Sequence, residues 1–321
     1  MESDKILALI LAAGKGTRMK SDLPKVLHPL LGRPLLGHVV ETVRGLGISD
    51  IVAVIGHGRT LVEEFLKEES VKAAVQEQQL GTGHAVACAL PQIDPDVQSV
   101  LILCGDTPLF KASTLRALLD SHEEQGCDIS VLSSRFADPT GYGRIVRDNE
   151  GRLKAIVEQK DASGDELSIK EINSGTYVVR RTVLEELLPS IKNKNAQGEY
   201  YLTDIVALGL SKRLKVEAFS LAEEQETLGV NSRYQLSQAE EILLERLRRG
   251  LMDSGVTLMM ARTIYVESDV QIESDVIIEP YCMLRGRSYI GKGARIGAGS
   301  ILTDVRVPPG AAIAPGSILR G

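Results

Sequence analysis

The most constraining feature of the sequence is a six-residue repeat in its C-terminal part. The aliphatic positions of the repeat are Val266, Ile272, Ile278, Leu284, Ile290, Ile296 and Leu302, followed after a slip of one residue by Val307, Ile313 and Leu319. Small or β-branched residues stand four positions after the first six of these, at Val270, Val276, Cys282, Ser288, Ala294 and Ser300. Such hexads build a parallel β-helix with one short strand each. At three hexads per coil, the repeat predicts roughly three coils.

The part of the chain before residue 232 alternates short apolar runs with segments of helical periodicity. The runs that predict strands are Ile6–Leu11, Ile51–Ile55, Lys72–Val75, Val100–Cys104, Ile129–Ser133, Leu153–Val157 and Ile172–Val179. The segments that predict helices are Pro34–Leu46, Thr60–Lys67, Gly83–Leu90 and Ala112–Gln125. This alternation is typical of a Rossmann-like, mostly parallel α/β sheet, in which ligands bind at the carboxyl ends of the strands.

A single long helix is predicted between these two parts. Ser232 can cap its start, and Gly255 can end it. The apolar stripe of this helix consists of Leu236, Ala239, Leu243, Leu247 and Leu251. We therefore expect a first domain of residues 1–231, a linker helix of residues 232–255 and a short β-helix of residues 256–321.

The charge and composition of the chain argue against several classes of protein. A net charge of -6 is unfavourable for sequence-independent binding of nucleic acid, which needs a basic surface. The apolar run Lys5–Ala13 is too short to span a membrane, and it lacks the cleavage site of a signal peptide. The four cysteines show no metal-ligand spacing and are typical of reduced thiols. We expect a cytoplasmic protein with no nucleic-acid or membrane partner.

The loop after the first strand is the best candidate for a ligand site. It reads LAAGKGTRM from Leu11 to Met19, and its glycines allow the backbone to approach a phosphate chain. Met19 stands where a dinucleotide-binding fingerprint needs a third glycine, and no Walker pattern is present. The cations of the loop and its sequel are Lys15, Arg18, Lys20 and Lys25. Such a concentration suits a triphosphate whose pyrophosphate leaves, and the alternative is an ordinary solvated basic loop.

Together with later motifs, this loop resembles the signature of the sugar nucleotidylyltransferases. The resemblance is strongest to the uridylyltransferase domain of the bacterial bifunctional N-acetylglucosamine-1-phosphate uridylyltransferase/acetyltransferases. The motifs that carry it are LAAGKGTRM from Leu11, PKVL from Pro24, QLGTGHA from Gln79, GDTPL from Gly105, GYGRI from Gly141, Glu158, EINSG from Glu171, NAQGEYY from Asn195 and GVN from Gly229. The resemblance implies a nucleotidyltransferase domain, a linker helix and a short left-handed parallel β-helix.

The resemblance also implies the residues of the site. Arg18 and Lys25 would be the catalytic cations, and Asp106 and Asn231 would hold Mg²⁺ between the nucleotide and the sugar phosphate. Taken alone, Asp106 fits a turn or a helix cap equally well. The implied substrate-binding residues are Leu11, Ala12, Ala13 and Gly14 on the phosphate side, Gln76, Gln79, Gly81 and Thr82 on the base side, and Gly143, Glu158 and Asn173 on the sugar side. The metal ligand Asn231 is implied to contact the substrate as well. We interpret His84 as structural, because a sugar phosphate is already an anionic nucleophile.

The implied reaction forms UDP-N-acetylglucosamine and pyrophosphate from UTP and N-acetylglucosamine-1-phosphate. The alternatives are the same chemistry with glucose-1-phosphate or dTTP, and a non-catalytic sensor of nucleotide sugars. Cys104 departs from the tyrosine that is usual in the family, which bears on the preference among sugars. The family's acetyltransferase uses a histidine of the β-helix, and this β-helix contains none, so we expect no acetyltransferase activity. The resemblance implies a homotrimer that forms through the β-helix.

Overall fold

The computed structural model describes residues 3–220 and 223–321. Met1, Glu2, Leu221 and Ala222, which fall within the predicted first domain, lie outside the described residues. The chain divides into two compact units. The first unit comprises Met1–His28 and Leu35–Asn231, and the second comprises Pro29–Pro34 and Ser232–Gly321.

The strands that precede the β-helix are β1 (Ile6–Leu11), β2 (Pro29–Leu30), β3 (Arg33–Pro34), β4 (Ile51–Ile55), β5 (Lys72–Val75), β6 (Ser99–Cys104), β7 (Ile129–Arg135), β8 (Arg144–Arg147), β9 (Leu153–Val157), β10 (Glu171–Arg180) and β11 (Val216–Ser220). The helices are α1 (Leu35–Arg44), α2 (Arg59–Glu68), α3 (Thr82–Ala89), α4 (Ala112–Glu124), α5 (Gly164–Leu167), α6 (Arg181–Leu187), α7 (Asp204–Ser211) and α8 (Arg233–Asp253).

The first unit is built around one mixed sheet with the strand order β11-β7-β10-β6-β1-β4-β5. Strands β1, β4, β5 and β6 pair in parallel, so their carboxyl ends lie at one edge of the sheet. Residues Ile6 to Ile10 of β1 are fully buried because helices cover both faces of the sheet. The predicted mostly parallel α/β class is confirmed.

Three parts of the sheet were not predicted from the sequence. Strand β10 runs antiparallel to both β6 and β7, whereas a parallel sheet was expected. The first two residues of β8 are buried and the last two are half-buried, and β11 lies at the edge of the sheet. Neither strand has the continuous apolar run of a central strand. Strand β8 pairs with β9 and with β10, which extends the sheet beside the carboxyl ends of the central strands.

A tight hairpin precedes α1, and it corrects the predicted start of that helix at Pro34. Strands β2 and β3 pair across the two turn residues Leu31 and Gly32, which have φ angles of 45° and 82°. Two positive φ angles are the geometry of the turn that best joins two antiparallel strands. Leucine is an unusual residue in such a turn, so the turn is not recognisable from the sequence. Pro34 therefore ends β3, and α1 begins at Leu35.

Helix α8 of the second unit begins and ends as the sequence predicts. The Ser232 hydroxyl oxygen accepts a hydrogen bond from the Gln235 N–H at 3.2 Å. Gly255 follows the end of the helix with a φ angle of 94°, and Val256 N–H donates back to Leu251 O. Two buried residues of the helix, Leu244 and Arg248, do not belong to the predicted apolar stripe. The Arg248 guanidinium donates to the Ile264 carbonyl at 2.6 and 2.9 Å.

The repeat forms a parallel β-helix with three stacks of short strands. Its strands are β12 (Thr257–Leu258), β13 (Tyr265–Val266), β14 (Gln271–Ile272), β15 (Ile277–Ile278), β16 (Met283–Arg285), β17 (Tyr289–Ile290), β18 (Arg295–Ile296), β19 (Ile301–Thr303), β20 (Arg306–Val307), β21 (Ala312–Ile313) and β22 (Ile318–Arg320). Tyr265 pairs with Met283, 18 residues on, whereas Tyr289 pairs with Arg306, 17 residues on. The shorter coil is the predicted frame slip. Small residues such as Ser288 and Ser300 are fully buried inside the coils.

Across residues 3–220 and 223–321, none of the helices is both long enough and apolar enough to cross a lipid bilayer.

Candidate active site

A cleft of about 530 Å³ opens at the carboxyl ends of the central strands of the first unit. Leu11 ends β1 and Cys104 ends β6, while Gln76 directly follows β5. The lining residues are Leu11, Ala12, Ala13, Gly14, Lys15, Gly16, Thr17, Arg18, Lys25, Val26, Gln76, Gln79, Gly81, Thr82, Ala85, Cys104, Asp106, Glu199 and Asn231. The structure therefore brings the predicted phosphate-side, base-side and metal residues to one cleft.

The glycine-containing loop is shaped by its contact with Lys25. Gly16 has a φ angle of 59°, and a Cβ atom at this position would lie 2.6 Å from the Lys25 Cβ. Only glycine therefore allows the loop to pass so close to the lysine stem. Met19 is buried and anchors the loop, whereas Gly14 and Arg18 are exposed. The exposed part of the loop is accessible to a phosphorylated ligand. Its backbone amides and the Arg18 guanidinium can donate hydrogen bonds to phosphate oxygens.

Lys25, Asp106 and Asn231 meet at one point of the cleft. The Lys25 ammonium donates hydrogen bonds to the Asp106 Oδ2 and, at 3.0 Å, to the Asn231 Oδ1. A backbone hydrogen bond of 2.8 Å from Val230 N–H to Asp106 O ties the two acceptor segments together. The side chains of Lys25 and Asp106 are only 13% and 16% exposed, so their ion pair is shielded from water. Lys25 and Asp106 are 81 residues apart, so no local sequence pattern predicts their contact.

These two oxygens suit a divalent cation of the hard, oxygen-binding kind. A carboxylate and an amide oxygen already share one cationic group, so a single ion can contact both. Mg²⁺ is commonly bound through one or two protein oxygens, with phosphates and waters completing the shell. Among the described residues, no group of three or more His, Cys, Asp or Glu side chains forms a self-sufficient metal site.

The base-side residues form a hydrogen-bonded turn before α3. The Gln76 Nε2 donates to the Gly81 carbonyl at 3.0 Å and lies 3.1 Å from the His84 Nδ1. The Gln79 Nε2 donates to the Gln76 carbonyl at 3.1 Å, and the Thr82 hydroxyl accepts from Leu202 N–H at 2.9 Å. His84 does not line the cleft and contacts Gln76, which agrees with its interpretation as structural.

Replacing Gly81 by alanine is expected to destabilise the protein and to disturb the predicted base-side part of the cleft. Gly81 has a φ angle of 114°, and an added Cβ would lie 2.5 Å from the Tyr200 carbonyl oxygen. Because both the backbone angle and the contact oppose a side chain, the free energy of unfolding should fall by more than ~1 kcal/mol. Urea unfolding and calorimetric titration with UTP measure the two effects. The control is Gly164→Ala, which meets nothing within 4 Å and should change stability by less than about 0.5 kcal/mol.

The three sugar-side residues form a second cluster, and they are not part of the cleft lining. Asn173 N–H donates to the Gly143 carbonyl at 2.9 Å, and the Asn173 Nδ2 donates to the Tyr177 hydroxyl at 2.7 Å. The Glu158 Oε1 accepts from the Thr203 hydroxyl at 3.3 Å, and burial raises the pKa of this carboxyl. A Cβ on Gly143 would lie 3.4 Å from both Glu158 oxygens, so glycine keeps space open beside them.

Cys104 lines the cleft and adjoins the sugar-side cluster. Its thiol lies 3.7 Å from the Gly175 carbonyl, and a Cβ on Gly175 would lie 3.0 Å from the sulfur. Burial, followed by the nearby Asp106 charge, raises the pKa of the thiol to about 12. The sulfur is therefore protonated at neutral pH and acts as packing rather than as a nucleophile.

Sequence reasoning gave no role to three residues that the structure places at or beside the site. Glu199 lines the cleft. Arg144 is almost fully buried and donates to the Tyr142 carbonyl, and at 2.8 Å to the Gln159 side chain. The Tyr142 hydroxyl accepts from Gly229 N–H at 3.3 Å. All three lie inside the motifs quoted above, but their long-range partners give no signal in a single sequence.

Comparison with known proteins shows the family of the chain. A model of the MobA-like NTP transferase domain matches residues 8–170, and a model of six bacterial transferase hexapeptide repeats matches residues 269–304. The bifunctional protein GlmU of Pelobacter propionicus is 45% identical over 318 residues, which cover 99% of this chain and 69% of that protein. The chain belongs to the GlmU family. It is therefore a nucleotidyltransferase.

Other members of the GlmU family also match nearly the whole of this chain. The protein of Clostridioides difficile is 46% identical over 97% of this chain and 68% of its own length. The protein of Desulfotalea psychrophila is 43% identical over 100% of this chain and 95% of its own length. A crystal structure described as a glucose-1-phosphate thymidylyltransferase of Bacillus anthracis superposes with a TM-score of 0.61 and 21% identity, covering 74% of this chain and 94% of that one. The last likeness concerns the fold alone.

Proposed function

We propose that the chain is the uridylyltransferase that forms UDP-N-acetylglucosamine, a cell-wall precursor, and pyrophosphate from UTP and N-acetylglucosamine-1-phosphate. The observation that carries the proposal is the meeting of Lys25, Asp106 and Asn231 in the cleft beside the glycine-containing loop. Membership of the GlmU family supports the choice of both substrates.

In the proposed reaction, a phosphate oxygen of the sugar phosphate attacks the α-phosphorus of UTP. The new P–O bond forms as the bond to the β-phosphate breaks, and its electron pair leaves with pyrophosphate. Arg18 and Lys25 line the cleft and would stabilise the negative charge that accumulates on the leaving group. Since the nucleophile is already ionised at neutral pH, the reaction requires no general base, and the protein contributes positioning and charge neutralisation.

Asp106 and Asn231 are the residues that would hold Mg²⁺. Their oxygens face one common cation, the Lys25 ammonium, which supports their use as a metal-binding pair. Bound Mg²⁺ would supply charge neutralisation of the phosphate oxygens. Because the Lys25 ammonium and the metal would use the same two oxygens, Lys25 would turn toward phosphate when the metal binds.

The hydrogen bonds of Gln76 support a preference for uracil over cytosine. Its amide N–H groups are directed to Gly81 and His84, which leaves the amide oxygen as an acceptor. Uracil presents an N3–H donor, whereas cytosine presents an acceptor at the same position. An unmatched polar pair inside a binding cleft is strongly disfavoured, so CTP should be rejected. Thymine shares the N3–H donor, and dTTP therefore belongs in the test.

The sugar-side cluster supports a polar sugar with an amide substituent. The half-buried Glu158 carboxylate can accept from sugar hydroxyls, and Asn173 can donate and accept. The hexapeptide repeats further support a homotrimer that assembles through the β-helix, which sedimentation equilibrium would measure.

The test of the proposal is pyrophosphate release with Mg²⁺ and a panel of substrates. UTP, dTTP and CTP are each combined with N-acetylglucosamine-1-phosphate, glucose-1-phosphate or no sugar, and an acetyl-coenzyme A arm tests acetyl transfer separately. We expect release with UTP and N-acetylglucosamine-1-phosphate. A preference for glucose-1-phosphate would keep the chemistry and move the substrate, with Cys104 as the first residue to examine. Binding of UTP without release from any combination would indicate a sensor and overturn the proposal.

A further inference from the structure

Tyr142 has no role in the proposed reaction or in the proposed contacts with the sugar, but it contacts residues on both sides of the site. Its ring packs against Phe136, with ring centroids 4.9 Å apart and an interplanar angle of 55°. Its hydroxyl oxygen accepts the N–H of Gly229 at 3.3 Å. Burial raises the pKa of the phenol, so the hydroxyl is neutral at physiological pH. The phenol is therefore a fixed hydrogen-bonding group rather than a charge.

The backbone of Tyr142 is held on the sugar side of the site. Its carbonyl accepts from the buried Arg144 guanidinium, which also holds the Gln159 side chain at 2.8 Å. Its N–H donates to Pro139 O at 3.2 Å. The next residue, Gly143, accepts from Asn173 N–H and lies beside Glu158. Tyr142 is thus rigidly connected to the residues proposed to contact the sugar.

The hydroxyl of Tyr142 reaches the other side of the site through Gly229. Gly229 starts the segment that continues with Val230 and Asn231. Val230 N–H donates to Asp106 O at 2.8 Å, and the Asn231 Oδ1 accepts from the Lys25 ammonium. The position of Asn231 relative to Asp106 therefore depends on a short segment whose first N–H is held by the Tyr142 hydroxyl.

We infer that Tyr142 is a positioning residue that connects the sugar-side cluster to the Asp106–Asn231 oxygen pair and keeps that pair in the geometry of a shared cation. The inference rests on the proposed role of this pair in metal binding. Tyr142 contacts none of the atoms that react in the proposed function. It acts through Gly229. Removal of its hydroxyl should therefore change the affinity of the oxygen pair for a divalent cation more than it changes the KM for the sugar phosphate.

The test is Tyr142→Phe, which removes the hydroxyl and keeps the ring against Phe136. Titration of the free protein with Mn²⁺, followed by the electron paramagnetic resonance signal of unbound Mn²⁺, should show affinity about 3- to 10-fold weaker than in the unchanged protein, as expected for one lost hydrogen bond. In the transfer reaction, the Mg²⁺ concentration for half-maximal rate should rise by a similar factor. The rate at saturating Mg²⁺ should recover to within about 3-fold, and the KM for the sugar phosphate should stay within about 2-fold.

The control is Tyr289→Phe, which removes a hydroxyl that donates to Glu273 at 2.6 Å in the second unit. It should leave Mn²⁺ affinity unchanged. Tyr142→Leu should weaken Mn²⁺ binding at least as much as Tyr142→Phe, and melting curves of all variants establish that they are folded. Unchanged Mn²⁺ affinity in both Tyr142 variants, or a change confined to the sugar KM, would overturn the inference. The Mn²⁺ titration uses no nucleotide or sugar. Its result can therefore be interpreted even if the protein does not react with the proposed substrates.

Discussion

Lys25→Ala should lower kcat at least ~100-fold while it strengthens the binding of Mn²⁺ to the free protein, a loss of the size found when one preorganised electrostatic group is removed. The loss of rate follows from the removal of a cation that would stabilise the leaving pyrophosphate. The gain in metal affinity follows from geometry, since the Lys25 ammonium binds the Asp106 and Asn231 oxygens that a divalent cation would use. In this variant, no ammonium group competes with the divalent cation for the two oxygens or repels it.

Opposite signs of the two effects distinguish this role of Lys25 from simple loss of structure. Pyrophosphate release at saturating substrates gives kcat, and Mn²⁺ titration gives the affinity, for which we expect roughly a tenfold gain, equivalent to about 1.4 kcal/mol. Lys67→Ala, which removes an exposed lysine of α2, should match the unchanged protein in both assays. Near-normal turnover of Lys25→Ala would remove Lys25 from the reaction. Weakened Mn²⁺ binding would refute the shared-oxygen geometry.

Asp106→Asn should lower kcat by about 100- to 1000-fold, and unlike Lys25→Ala it should also abolish detectable Mn²⁺ binding. The substitution keeps the size of the side chain and removes its charge. Mg²⁺ and Mn²⁺ favour carboxylate oxygens, and Asp106 supplies the negative charge of the oxygen pair. The Lys25 ammonium would also lose its ion-pair partner in a part of the cleft that is shielded from water.

Asp96→Asn provides the matched control for this variant, because Asp96 is exposed and lies outside the cleft lining. It should retain kcat and Mn²⁺ affinity. The same two assays therefore distinguish the three variants. The Mn²⁺ affinity should rise in Lys25→Ala, be lost in Asp106→Asn and stay unchanged in Asp96→Asn. If Asp106→Asn binds Mn²⁺ normally, Asp106 is not a metal ligand, and the proposed pair with Asn231 is wrong.

Much of the fold follows from periodicity in the sequence. Strands β1, β4, β5 and β9 have the predicted bounds because aliphatic residues dominate each of these short segments. The β-helix follows from its hexads, and the slip after Leu302 appears as the shorter coil between Tyr289 and Arg306. The hairpin at Leu31 and Gly32 could not be predicted, because a leucine with a positive φ angle depends on its tertiary setting.

The candidate site was predictable where family motifs carry it and unpredictable where distant residues pair. The cleft collects the predicted phosphate-side, base-side and metal residues because the carboxyl ends of parallel strands share one edge. The ion pair of Lys25 with Asp106 and the hydrogen bond of Tyr142 to Gly229 join positions 81 and 87 residues apart. A single sequence contains no spacing rule for such contacts.

The proposed function requires that the nucleotidyl group moves from UTP to the sugar phosphate in this cleft. Its most direct test follows the α-phosphorus, using UTP labelled with ³²P at the α position, N-acetylglucosamine-1-phosphate and Mg²⁺, with Asp106→Asn as the blank. We expect the label to appear in UDP-N-acetylglucosamine and the pyrophosphate to be unlabelled. Label that remains in UTP with every sugar phosphate, or that appears in free UDP, would contradict it.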